Sequence, residues 1–452
     1  MPVREGAMAR QQRGKQKFLL ILLIIVLAGG SGTYLYFAEG ESPQLSFAPR
    51  QAFLSPKTEI VVDARDTKSG LASLEVVARQ GTTEVVLLSQ DYPKGQKTAS
   101  TTLSLEGQGL RDGQAKVLLR ARDHSWTNFL QGNLVQEEID FVLDSKPPKI
   151  IMQTFTHNLN QGGSGLLGFR LSEASGKTGV QIRDSFYPAY EQPNGLYLCF
   201  FSFPYDAQPG QDRPRVVARD RAGNVSRIGF HHYVNDKNFS TVKLPISDGF
   251  LQAKMGEFES QFPEVDDNLQ LFLKVNRELR AQNRQTLLDV GTQSSSSPLW
   301  TGSFLRQPGA ARRASFGTTR RYVYNQKVVD TQTHLGIDLA SVAQAKVPAA
   351  NSGQVVYADW LGIYGQVIII DHGLGLQTLY AHLSQIGVGT GDAVRKGEII
   401  GRTGATGMAA GDHLHLGVLI SGTPVNPVEW WDKSWIENNI NGKLALRKKE
   451  KE

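Results

Sequence analysis

Residues 18–37, FLLILLIIVLAGGSGTYLYF, contain no charged side chain, and this run constrains the layout of the chain more than any other stretch. As a helix it would be about 30 Å long, the thickness of the hydrocarbon core of a bilayer. Arg4, Arg10, Arg13, Lys15 and Lys17 stand before it against a single acid, Glu5. By the positive-inside rule residues 1–17 form a basic cytoplasmic leader, 18–37 a transmembrane helix, and everything after about residue 40 is exported. A cleaved signal peptide carries the same charge pattern. The apolar run is long for a signal peptide, however, and Tyr34 and Tyr36 suit the outer interface of a retained single-pass anchor in the cytoplasmic membrane. The exported part then lies in the periplasm or on the outer face, according to the envelope.

The one cysteine, Cys199, sits in the apolar run LYLCFF and reads as a small buried hydrophobe. No intrachain disulfide is available, so the exported domains must be held by their own cores. Short strand patterns with few helical signals fill about 200 residues after the apolar run. VLLRARDHSWTN at 117–128 and RVVARDRAGNVS at 215–226 resemble each other, with Ala121-Arg122-Asp123 matching Ala218-Arg219-Asp220. A repeat of about 100 residues fits two β-sandwich modules, 41–145 and 146–240, similar to bacterial immunoglobulin-like domains. They read as spacers in preference to ligand-binding modules.

Between 248 and 290 the apolar period lengthens. Phe250, Leu251, Met255, Phe258 and Phe262, then Leu269, Leu271, Phe272, Val275, Leu279 and Leu287, recur at three- and four-residue spacings. The pattern predicts two amphipathic helices broken near Pro263, a helical linker packed on its neighbours. A bolder expectation is that this linker covers the functional cleft of the domain that follows it and restrains that domain. GTQSSSSP at 291–298 reads as a flexible polar hinge. A last domain at 300–432 and a charged tail at 433–452 complete the chain. The expected fold is mainly β, with the transmembrane helix, two sandwiches, the helical linker and a C-terminal antiparallel sheet. Net charge is +6, and neither a concentrated basic stripe nor an aromatic stacking platform appears. Nucleic-acid binding is therefore not expected.

Five of the nine histidines lie beyond position 330. In HLGIDLA, Leu335, Ile337 and Leu339 alternate with His334, Gly336 and Asp338, and in HLHLGV, Leu414, Leu416 and Val418 alternate with His413, His415 and Gly417. Each segment reads as a strand with its polar groups on one face. Imidazoles and a carboxylate are what a water-activating zinc site needs, with three protein ligands and one open position. Four extended residues span roughly 13 Å, too far for His334 and Asp338 to meet one ion, so the chain must bend near Gly336. Gly417 is expected to leave a shallow floor for an extended peptide, and His372 in DHGLG to be a turn residue. With one cysteine and no H-E-x-x-H, thiolate zinc sites and the helical zincin arrangement are excluded.

His334-x-x-x-Asp338, then YAHL at His382, then His413-Leu414-His415, resembles the signature of the lysostaphin-type, or LytM-type, zinc endopeptidases that cut peptide cross-links in bacterial peptidoglycan. The resemblance covers about residues 300–431. It implies a single zinc ion held by His334, Asp338 and His415, non-ligand catalytic histidines at 382 and 413, and peptidoglycan peptides as substrate. None of the five positions is substituted, whereas degenerate members of such a family lose ligands and regulate other wall hydrolases. A non-hydrolytic regulator is thus the alternative reading. The cross-link cut, and any protein partners in the wall, are not legible in these residues.

Overall fold

The computed structural model describes the backbone of residues 5–448. Arg4 and residues 449–452 of the charged tail lie outside the described residues, and so do the side chains of Arg10 and Arg13. The apolar run belongs to a long helix, α1 (Glu5–Phe37), whose 23-residue stretch Lys15–Phe37 is apolar enough to cross a membrane and has none of its surface buried. Such a helix fits a membrane anchor or a signal segment.

The chain divides into two compact units, one running through Pro147 and including Arg221–Asn224, the other formed by Pro148–Asp220 and Val225 onward. In the first, a three-stranded sheet (Gln44–Ala48, Ile60–Arg65, Thr98–Leu103) faces a five-stranded one built around Leu71–Gln80 and Gly113–Asp123. Period-2 alternation explains the packing. Ile60, Val62 and Ala64 are buried while Asp63 and Arg65 are exposed, and they meet Leu74, Val76, Val117 and Leu119 in one core.

The second unit begins with two four-stranded sheets, one centred on Ser164–Leu171 and Tyr197–Ser202, the other on Ser175–Ile182 and Arg215–Asp220. The A-R-D repeat has a structural counterpart, since Asp123 and Asp220 each end a strand. Cys199 is fully buried. This sandwich shares one hydrophobic core with the rest of its unit: Trp430, wholly buried, lies 5.6 Å from the ring of Phe200 and packs against Trp300, Phe304 and Trp435.

The C-terminal part is an eight-stranded sheet in the order Ala311–Ala314, Ile337–Ala340, Leu414–Ile420, Leu376–Leu383, Gln366–Asp371, Gly353–Trp360 and Ala393–Val394, with Thr423–Val425 paired to Leu414–Ile420. One face (Leu414, Leu416, Val418, Tyr380, Ile368) enters the shared core. On the other face, Leu379, Ala381, Leu419 and Ile369 meet Leu287 and Val290 of the helical segment. That segment consists of α2 (Asp248–Met255), capped by Ser247, then α3 (Asn268–Lys274), capped by Asp267, and α4 (Arg280–Val290), joined to α3 through a π-helical stretch at Val275–Leu279. Pro263 falls in the non-helical stretch between α2 and α3, and α2 stops before reaching it.

Three expectations are corrected. Strand Thr241–Pro245, just beyond the expected end of the second sandwich, pairs in parallel with Thr319–Tyr324 and so joins the C-terminal part. The serine tract is not a free hinge: Ser294 Oγ donates to Asp371 Oδ1 at 2.6 Å, the Ser295 amide donates to Asp371 Oδ2, and Ser294 Oγ accepts from the Gly375 amide. The terminal segment is helical, with Ile436 and Ile440 in the shared core while Lys433 and Glu437 on the same turns are exposed. His372 stands at the start of the turn that follows strand Gln366–Asp371, as expected, and there it is fully buried and bonded to Ser352 O and Thr378 Oγ1, with burial pushing its pKa down to about 4.

Candidate metal centre and catalytic cleft

The strand pattern of HLGIDLA is interrupted at 334–336, between Lys327–Thr333 and Ile337–Ala340, so His334 and Asp338 turn toward one point. Space explains why glycine occupies 336. A Cβ there would lie 2.4 Å from His415 Nε2 and 2.9 Å from Leu416 O. Asp338 pairs across the sheet with His415, which pairs with Ala381, so one row of three strands carries the site.

Three acceptor atoms converge. His334 Nε2 lies 2.9 Å from Asp338 Oδ1 and 3.0 Å from His415 Nδ1, and the latter lies 2.9 Å from Asp338 Oδ1. All three residues are buried. His334 Nδ1 donates to the Ser315 carbonyl at 3.0 Å, which leaves the lone pair on Nε2 facing the centre. Acceptors packed together need a cation or protons between them, and two imidazoles with one carboxylate form a borderline donor set suited to zinc. The other oxygen, Asp338 Oδ2, accepts from Arg320 at 2.6 Å, the outer support that fixes a carboxylate ligand. Burial works against ionisation of Asp338, but the imidazoles of His334, His413 and His415 around it hold its carboxyl well below the usual carboxylate range. For His415, burial outweighs the nearby carboxylate and pushes its pKa down to about 4.

His382 and His413 flank this centre, their rings 4.9 Å apart. His382 Nδ1 bonds to Thr406 O and His413 Nδ1 to Gly411 O, both at 2.8 Å. Each therefore donates from Nδ1 and keeps Nε2 free to exchange a proton. His413 Nε2 is 3.6 Å from Asp338 Oδ1. His382 takes a left-handed backbone conformation, φ 62°, uncommon for a residue with a side chain and held here by its neighbours. Burial, with His413 and His415 nearby, pushes its pKa well down, whereas Asp338 raises that of His413 against the effect of burial.

Asp338, His382 and His413 open onto a cleft of about 520 Å³ walled by strand 241–245, Phe250, Arg313 and Met408. The helical segment thus lines the cleft as a wall, and His413 keeps 17 % of its side chain exposed. Gly417 is not a floor: it is buried, and a Cβ there would meet Leu379 at 3.3 Å, on the face covered by α4. Sequence reasoning missed Arg320, Arg280, Arg284 and Tyr364, which border the centre. The available signal was Arg280 and Arg284 at helical i, i+4 spacing.

Residues 332–427 match Peptidase family M23, and the chain carries at its C-terminus a peptidase M23 domain of the LytM, or lysostaphin, type. Among curated relatives, DD-carboxypeptidase/endopeptidase Mpg of Neisseria meningitidis is 44 % identical over 95 residues, 21 % of this chain and 22 % of the relative. Peptidoglycan DD-endopeptidase ShyA of Vibrio cholerae is 36 % identical over 96 residues, 21 % and 22 % of the two chains. The match therefore spans only about a fifth of these relatives. Among solved structures, the catalytic domain of lysostaphin from Staphylococcus simulans aligns with 29 % of this chain and 98 % of its own, at 27 % identity and a TM-score of 0.25.

Proposed function

We propose that this protein is a membrane-anchored zinc endopeptidase that hydrolyses peptide cross-links of bacterial peptidoglycan, with His334, Asp338 and His415 as ligands of a single zinc ion and His382 and His413 as catalytic imidazoles. The observation that carries this reading is the meeting of His334 Nε2, Asp338 Oδ1 and His415 Nδ1 within 3.0 Å of one another beside two further imidazoles. The names of the curated relatives support the reaction class, and α1 supports the anchor. Zinc in this trio would supply Lewis acidity for the scissile carbonyl and lower the pKa of water toward 7.

The chain's own residues do the rest. Arg320 and the Ser315 carbonyl hold Asp338 and His334 in register. His382, kept neutral by burial and oriented by Thr406 O, accepts a proton at Nε2. His413, whose pKa Asp338 raises against the effect of burial, would in its protonated form present an N–H at Nε2 to the oxygen that gains charge as the amide is attacked. A proton returned from His382 to the departing amine completes the exchange. The cleft beside them has room for an extended peptide.

The test uses the full chain in detergent, incubated with purified sacculi with and without a chelator. The expected result is release of peptide fragments that stops on chelation and returns with zinc. His334→Ala should lose both ion and turnover, while His413→Ala should keep the ion and lose rate. Stoichiometric zinc with no fragments released from sacculi of diverse chemistry would leave the regulator reading in its place.

A further inference from the structure

We infer that Arg280, Arg284 and Arg320 form a carboxylate subsite beside the catalytic centre, reserved for a free carboxylate on the amine side of the scissile amide; the inference rests on the hydrolase reading above. The three arginines reach this place from different elements. Arg280 and Arg284 lie one turn apart on α4, and Arg320 lies on strand Thr319–Tyr324. With His334, His382 and His415 they line one narrow slot, with about 40 Å³ of free space. That is space for the centres of a few water molecules, at about 10–15 Å³ each, so the slot admits a small planar group and no bulky side chain.

The charge balance of the slot points to an anion. Arg280 donates from Nε to the Asn276 carbonyl at 3.1 Å and from Nη2 to Asn276 Oδ1 at 2.5 Å, both neutral acceptors. Among the described residues, no carboxylate lies within ion-pair distance of Arg280 or Arg284. Arg320 is the one member with an acid, and that acid is Asp338. A guanidinium drawn out of water without an anion is costly, and neutral amide acceptors offset only part of that cost. Its planar fork matches a carboxylate with two parallel hydrogen bonds. Asn276 is fully buried and also donates to Asp330, so Arg280 is held in place before any ligand arrives.

Substrate chemistry selects which carboxylate can use the slot. In a bond from D-alanine to the amine of a D-configured centre, the carbon attached to the scissile nitrogen also bears a free carboxylate. Two bonds, about 2.5 Å, separate that carboxylate carbon from the reacting nitrogen, so it must lie next to the centre. The slot shares His334, His382 and His415 with the centre itself. In an oligoglycine bridge the corresponding carbon continues into a neutral amide and leaves the arginines unmatched. The subsite therefore favours D-alanyl links ending in a free acid over glycyl bridges.

The test compares two synthetic stem peptides, one with the free carboxylate beside the scissile amide and one with a carboxamide there, using the zinc-loaded full chain in detergent. Wild type should prefer the acid. Arg280→Gln should lower kcat/KM on the acid by about 10²-fold, the loss that accompanies one charge-assisted pair, and should shrink the acid-over-amide ratio at least tenfold. Arg280→Lys should recover only part, because it keeps the charge and loses the fork. Arg284→Gln, at an exposed position, should shift the ratio in the same direction by less, and it carries the test should Arg280→Gln melt early. Equal losses on both peptides would make the arginines structural and overturn the proposal, as would a wild type without preference. Binding of both peptides by calorimetry separates the two readings: selective binding of the acid without turnover retains the subsite and removes the hydrolase, and equal binding removes the subsite.

Discussion

Gly336→Ala is the substitution that most directly probes the centre, because it adds one methyl group beneath a proposed ligand. The new Cβ would stand 2.4 Å from Nε2 and 2.5 Å from Cε1 of His415, and 2.9 Å from the Leu416 carbonyl. Comfortable contact needs about 3.5 Å, so the imidazole must retreat by roughly 1 Å. Sites of this kind tolerate deviations of about 0.2 Å in ligand distance. A misplacement of about 1 Å costs on the order of 10²-fold in turnover, and a similar loss in zinc affinity is expected. The backbone at 336 is not in the left-handed region, so alanine brings no φ strain, but the contacts with the His415 ring and the Leu416 carbonyl should lower stability by about 1–3 kcal/mol. The assay is chelator competition for zinc, hydrolysis of sacculi and thermal melting on one preparation of the full chain. Wild-type zinc affinity and rate in Gly336→Ala would refute the placement of His415 as a ligand, and a melting temperature too low for the domain to stay folded during the assay would mean the losses report unfolding and not the ligand.

Arg320→Met removes the donor to Asp338 Oδ2 while keeping much of the stem, and should weaken zinc binding about 10–100-fold, read by chelator titration, with melting changed little. Glu429 is buried against Asn160 and Ser164, and burial pushes its pKa from 4.5 up to about 7. Its folded-state pKa is the raised one, so the contribution is full below about pH 4.5 and is lost as pH rises through about 7, at most ~3 kcal/mol at 1.36 kcal/mol per pH unit. The melting temperature should therefore fall from pH 5 to pH 8, and Glu429→Gln should flatten that slope; an unchanged slope would show that another group sets it. Trp430→Ala opens a cavity among Phe200, Trp300 and Phe304 and should cost about 3–5 kcal/mol, with the second sandwich and the peptidase sheet losing hydrogen-exchange protection together. Deletion of residues 1–37 should move the protein from the membrane pellet to the soluble fraction, and an intact wild-type N-terminus in that pellet would exclude a cleaved signal.

What could be read in the sequence was what a short window contains. The alternation of Leu335, Ile337 and Leu339 against His334 and Asp338, and of Leu414 and Leu416 against His413 and His415, needs only the strand period, and the bend at 336 follows from reach. The amphipathic period of 248–290 was equally local, and so was the uncharged length of 18–37. The errors share one cause, which is that each depended on a partner far away in the chain. GTQSSSSP has the composition of a flexible linker, yet Ser294 and Ser295 are fixed by Asp371, about 77 positions on. Thr241–Pro245 was left between domains because its register with Thr319–Tyr324 is invisible to any window. Gly417 suggested open space, and the space is taken by Leu379 on the face that α4 covers.

The arginines follow the same logic and carry it furthest. On an amphipathic helix, Arg280 and Arg284 read as a solvated face, the ordinary fate of charge at i, i+4. Packing of Leu287 and Val290 onto Leu379 and Leu419 turns that helix so that part of its charged side borders the buried trio. A linker read as a tether, or as a lid, thereby becomes a wall that sets the electrostatics of the cleft. The five motif residues could thus be picked out in the sequence as one candidate site, whereas the proposed carboxylate preference depends on a helix whose packing fixes which of its charges face that site.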